Sequence, residues 1–148
     1  MATRIVVRHG RPATKGSTKS FYNPRTRKVV TMSDNPNLKA WELAVRAAAM
    51  KMCKRDVHPH RGPVEVCILF LLRRPMKHYK KGCLRYDAPE ACNCVTRGRQ
   101  DLDKLERAVL DALTGVMYED DSQVVAIKSR KKWSTLSEDP AAIIDVVE

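Results

Sequence analysis

The sequence predicts a small α+β domain in which two helices lie on one mixed sheet, in the order β β α β loop α β β. Three observations predict it: an alternating apolar run from Val64 to Leu72, two stretches with apolar residues at helical spacing, and no repeat or linker dividing the 148 residues. One domain spanning 1–148 follows. A chain of this length buries roughly two thirds of the surface exposed when unfolded, so it needs no staple.

Arg4 to Arg8 reads as a short strand. After it comes a turn-rich basic stretch with Gly10, Pro12, Lys15, Gly16, Lys19, Asn23 and Pro24, then a second strand around Lys28 to Met32. The two strands are expected to form a hairpin with a basic tip. Asn35 is placed to cap a helix with Pro36 at its first position, and Leu38, Trp41, Val45, Ala48 and Met52 share one face, with Trp41 in the core. A polar segment, Arg55 to Gly62, breaks that helix. In the next strand Val64, Val66, Ile68, Phe70 and Leu72 fill one face and Cys67, Leu69 and Leu71 the other, as expected of a central strand buried on both sides.

Arg73 to Arg99 reads as a long irregular loop with eight basic residues against Asp87 and Glu90. Loops of this length are functional or disordered. Tyr79 and Tyr86 sit among the cations, a mixture suited either to phosphate contact with base stacking or to a solvated loop. Leu102, Leu105, Val109, Ala112 and Leu113 define a second amphipathic helix that Gly115 ends. Strand character is expected from Val116 to Lys128 or a little beyond, and Ala142 to Val147 supplies the last strand.

The charge balance gives the first functional clue. Twenty-eight Lys and Arg against 17 Asp and Glu leave +11, a surface suited to a polyanion. The expected nucleic-acid contacts are Lys15, Lys19, Arg73, Arg74, Lys77, Lys80, Lys81, Arg97, Arg99, Lys104, Lys128, Arg130 and Lys132. The 43% hydrophobic and 30% charged content argues against a disordered chain or a membrane protein. Val66 to Leu72 is too short an apolar run to span a bilayer, and the start lacks a secretory signal, so a cytoplasmic protein is expected. Five irregularly spaced cysteines argue against a disulfide framework. A zinc cluster of His78, Cys83, Cys92 and Cys94 is the alternative, though Cys-x-Cys lacks the usual spacer. His58, His60 and His78 read most simply as solvated loop residues.

Asp101 and Asp103 open the second helix. An acidic residue there is ordinary, since it accepts backbone N–H bonds and meets the positive dipole end. Within a regular helix residues two apart diverge by about 200°, so the pair converges only if Asp101 is still extended. Glu119, Asp120 and Asp121 stand where the chain re-enters the sheet, and the two acidic segments are expected to meet. Three close carboxylates repel unless a cation sits between them, and hard oxygen ligands suit Mg²⁺, or Mn²⁺ as a substitute. Arg107, four residues after Asp103, reads either as an ion-pair partner or as a group that polarises a phosphate.

The run from Arg99 to Gly115, with Asp101-Leu102-Asp103 and Leu110-Asp111-Ala112-Leu113-Thr114, followed by Glu119-Asp120-Asp121-Ser122-Gln123-Val124, resembles the signature of the RusA family of crossover-junction endodeoxyribonucleases. Gly10-Arg11-Pro12, Lys15-Gly16-Ser17 and Asp34-Asn35-Pro36 to Trp41 resemble its longer, phage-type members. The resemblance implies a RusA-like fold and a homodimer that resolves four-way DNA junctions in recombination and repair. It implies paired symmetric nicks and Mg²⁺ held by aspartates, with no organic cofactor. Asp101, Asp103 and Asp121 fall on the family's essential carboxylates and Arg107 on its functional lysine. Lys104 stands where many members have Asn, and Arg107 cannot readily give up a proton. Two other readings compete: a branched-DNA nuclease of another class, against which Ala126 counts by standing where an acid would precede Lys128, and a non-catalytic basic nucleic-acid-binding module.

Overall fold

The alternation of Val64–Leu72 becomes β4, the second-innermost strand of a four-stranded sheet in a computed structural model. The structure describes residues 1–8, 11–16, 18–33, 35–53, 59–97 and 100–148. Its other elements are β1 (Ala2–Val7), β2 (Thr18–Asn23), β3 (Lys28–Ser33), α1 (Leu38–Met52), β5 (Tyr79–Lys80), β6 (Cys83–Leu84), α2 (Leu102–Leu113), β7 (Val124–Trp133) and β8 (Ala141–Val147). The main sheet runs β1-β8-β4-β7, antiparallel except for the parallel pair β4 and β7. The α+β class with two helices and a mixed sheet is thus as expected.

A parallel pair needs a long crossover, and the segment from Arg73 through α2 supplies it. Val64, Val66, Ile68, Phe70 and Leu72 are buried beneath the helices with Ile5, Val7, Ile144 and Val146. From α1 come Leu38, Trp41, Val45 and Ala49, and from α2 Leu105, Ala108, Val109, Ala112 and Leu113. The helical spacing in both segments therefore did mark core-facing stripes, except that in α1 Ala49 rather than Ala48 is buried and Met52 is exposed. Among the described residues no helix covers the opposite face of the sheet. There Glu65 is exposed and Cys67, Leu69 and Leu71 are half-buried, so β4 is central but fully buried on one face only.

Besides the start of α1, which is Leu38 with Asn37 rather than Asn35 at its N-cap, two features differ from expectation. The first strand does not form a hairpin with Lys28 to Met32: β1 pairs with β8 from Ala2↔Val147 to Val7↔Ala142, while β2 and β3 form their own hairpin. The reason lies in burial. Ile5 and Val7 need a partner strand that also faces the core, whereas Phe21, Tyr22, Val29 and Met32 of the hairpin are all exposed. The second difference follows α2. Gly115, at φ +75, turns the chain sharply, and its N–H donates to the Tyr118 carbonyl at 2.7 Å. Residues 116–123 are therefore turn, and β7 begins only at Val124.

No helix among the described residues is long and apolar enough to cross a membrane. Gly10, Ser17, Asp34, Arg55, His58 and Arg99, named in the sequence reading, lie outside the described residues.

Candidate active site

Where β4 ends, the starts of both helices converge on a cleft of about 780 Å³. Its walls come from residues 11–14 after β1, Asn35–Asn37 before α1, Leu72–Met76 after β4, and Gln100, Asp101 and Lys104 at the start of α2. Asp101 is the N-cap residue of α2, extended at φ −61 and ψ 137, with Asp103 in the first turn. The backbone at Asp101 is thus extended, as convergence of the pair requires, but only Asp101 of the two lines the cleft. The Asp101 side chain makes no cap hydrogen bond. It accepts instead from Lys104 Nζ at 2.9 Å, and Asp101 and then Asp103 hold the Lys104 ammonium above its ordinary range. Asp103 is exposed and does not line the cleft.

Gln100 fixes the approach to Asp101. Its φ of +56 is a left-handed conformation that costs a side-chain-bearing residue about 1–2 kcal/mol. Three contacts hold it: its carbonyl accepts from Thr96 Oγ1 and Lys131 Nζ, both at 3.1 Å, and its amide donates to the Pro12 carbonyl at 3.4 Å. Lys131 was absent from the expected contacts, although the two-residue alternation of β7 places it opposite Lys128, Arg130 and Lys132. It supports the backbone beside Asp101 rather than facing solvent.

The third carboxylate is elsewhere. Asp121 opens a single 3-10 turn before β7, at the other end of α2. Twelve helical residues separate the ends, about 18 Å at 1.5 Å per residue. The β7 end that approaches Asp101 is Lys131, not Val124. Within one chain, then, the two acidic segments do not meet, which corrects the expectation: a helix followed by a strand in a sheet doubles back, so segments flanking the helix lie at opposite ends. No group of three His, Cys, Asp or Glu able to hold a metal occurs among the described residues.

Around Asp121 the environment is also built. The Asp120 Oδ1 accepts from Ser122 N at 2.9 Å, and Ser122 holds the Asp120 carboxyl below its usual range. Gln123 Nε2 donates to the His60 and Gly62 carbonyls, Arg61 pairs with Glu119 at 2.9 Å, and Tyr118, fully buried, donates its hydroxyl to the Leu110 carbonyl at 3.1 Å.

The expected DNA contacts separate into groups. Arg73, Arg74 and Lys104 line the cleft, and Lys77 and Arg97 line an adjoining hollow with Arg73. Lys80 is on β5 and Lys81 in the turn after it, both exposed. Lys128, Arg130 and Lys132 are in register with Cys67, Leu69 and Leu71, so they border the helix-free sheet face. Lys19 lies on β2, and Lys15 is paired with Asp111 of α2. Arg107 is exposed and makes no ion pair with Asp103 among the described residues. Tyr86 is fully exposed and Tyr79 half-buried.

In the segment that carried the zinc alternative, Cys83 and Cys92 are exposed and Cys94 is buried. Burial pushes the Cys94 thiol up to about 11, against the opposing pull of Lys131 and Arg74. His78, expected in solvent, is instead buried: it meets Trp133 edge-on at 5.5 Å, and burial, with Arg74, Lys77 and Arg85, pushes its pKa down.

A protein-family model described as endodeoxyribonuclease RusA matches residues 12–146. A search of curated proteins gave no match. The matched span contains both acidic segments and every lining residue of the cleft except Arg11, and of the sheet it leaves out β1 and the last residue of β8.

Proposed function

We propose, from the premise that this chain belongs to the RusA endodeoxyribonuclease family, that it is a Mg²⁺-dependent resolvase of four-way DNA junctions acting as a two-fold homodimer. The observation that carries the reading is Asp101 at the uncapped start of α2, inside a cleft whose other charged lining is basic. Cations bring the phosphodiester to carboxylates that would otherwise repel it.

Asp101 and Asp103 fit a hard dication, which is commonly held by one or two carboxylates, with waters and phosphate oxygens completing the shell. Asp121 of a second copy would be the third donor, because a two-fold axis can set the acidic end of one α2 against the basic end of the other. When bound, Mg²⁺ (or Mn²⁺) supplies Lewis-acid stabilisation to the phosphate. The chain's own groups do the rest. Lys104 yields Asp101 from its ion pair, Gln100 and Lys131 keep the Asp101 backbone fixed, and Arg107 offers a fixed positive charge on the face of α2 carrying Asp103. The exposed Lys77, Lys80, Lys81, Arg97, Lys128 and Arg130, with Arg73, Lys132, Lys19 and Arg99, would take phosphates of the junction arms. Lys15 would contribute only by leaving Asp111.

The test is complementation on a labelled mobile junction with Mg²⁺. Asp101→Asn and Asp121→Asn should each be inactive alone. Co-expressed, half of the dimers are mixed and each keeps one intact composite site, so about a quarter of wild-type nicking should return. No cleavage by the wild type discards the nuclease reading. Wild-type cleavage without complementation would instead mean that the three aspartates work within one chain.

A further inference from the structure

Among the cations of the cleft, Arg74 is unlike the rest: it is 7% exposed, whereas Arg73, Arg11 and Lys104 are solvent-exposed. Its Nη1 donates to the Pro89 carbonyl at 2.7 Å, which fixes the guanidinium plane. No carboxylate pairs with it among the described residues, and neither Nε nor Nη2 has a protein acceptor there. The two free nitrogens are not among the fully buried atoms, so a side chain whose stem is buried keeps its donors open to the cleft, where an anion can complete them. Asp101, the carboxylate of the same cleft, is already engaged by Lys104.

A second feature points to the same ligand. Both helices begin at this cleft; at α1 the Asn35 Oδ1 accepts from Asn37 N at 3.0 Å, whereas α2 has no side-chain cap hydrogen bond. Unpaired N–H groups and the positive dipole end favour an oxyanion. We infer that the cleft holds one backbone phosphate of DNA on the fork of Arg74, with the start of α2 facing it, and so sets a phosphodiester beside Asp101. Arg74 is a positioning residue: its planar donors match two phosphate oxygens, which a lysine cannot copy. The inference rests on the nuclease reading only for what lies next to Asp101, because the anion site itself follows from the unpaired arginine.

The test uses the full chain without metal, so that its result stands apart from cleavage. Thermal midpoints are followed against inorganic phosphate, a dinucleotide phosphodiester and matched chloride. The wild type should show a saturable rise with the dinucleotide at lower concentration than with inorganic phosphate. Arg74→Met, which keeps the stem, should lose that rise, and Arg74→Lys should bind roughly 10- to 100-fold more weakly. Both variants are first compared with wild type by circular dichroism, and Arg61→Met, at the far end of α2 beside Glu119, serves as the exposed control that keeps the rise. An equal response of wild type and Arg74→Met overturns the site, as does no saturable response in the wild type. A response to inorganic phosphate alone overturns its assignment to nucleic acid. Should cleavage fail while the dinucleotide still binds through Arg74, the nuclease reading falls and this one does not.

Discussion

The two ends of α2 carry the same residue type in opposite surroundings. At the start, Asp101 lies among Arg11, Arg73, Arg74 and Lys104, on a backbone held in a left-handed conformation at Gln100. At the far end, Asp121 follows Glu119 and Asp120 in a turn closed by reciprocal hydrogen bonds between Asp120 and Gln123. One end is strained, basic and open, and the other is acidic and locally satisfied. Neither suffices for a metal-dependent nuclease: the first attracts phosphate but has two carboxylates, and the second has carboxylates but repels DNA. In the proposed function, a second copy of the chain would bridge their separation along one helix.

The largest expected effect tests whether both ends serve one reaction. Asp101→Asn and Asp121→Asn should each lower junction cleavage roughly 10³-fold or more, about 4 kcal/mol of transition-state stabilisation, while gel-shift binding persists. Full activity in Asp121→Asn would reduce the acidic end to a capped turn. A smaller effect separates the ends by charge. Arg73→Ala should reduce the salt slope of junction binding by about one, whereas Arg61→Ala, beside Glu119, should leave it unchanged. Equal slopes in the two variants would break the assignment of DNA to the basic end.

The smallest effect concerns stability. Tyr118→Phe removes the hydroxyl that donates to the Leu110 carbonyl and should cost about 0.5–1.5 kcal/mol in urea unfolding. Gln100→Gly loses the contact with Pro12 but relieves the left-handed backbone, and should stay within about 1 kcal/mol of wild type. A larger loss at Gln100 than at Tyr118 would mean that the strained end, not the packed one, anchors the helix.

Much of this protein was readable from its residues. The alternation in Val64 to Leu72 and the apolar stripes of both helices placed the core, because burial of one face follows directly from the period of each element. The Asp-x-Asp at the head of α2 carried its own conformation, since an extended cap residue beside a first-turn residue is a local matter. The match over 12–146 bears out the family recognised in those motifs. Other features depended on distant partners. Residues near in sequence were assumed near in space, so β1 was joined to the wrong strand and Asp121 to the wrong end of α2. Which of Arg73 and Arg74 is buried is likewise decided by the fold, which leaves Arg73 exposed and sets Arg74 on the Pro89 carbonyl. Periodicity and composition are properties of a segment and are fixed by the chain alone. Which ends of those segments meet, and which charges are left without partners, is decided when a helix of about 18 Å must double back along its own sheet.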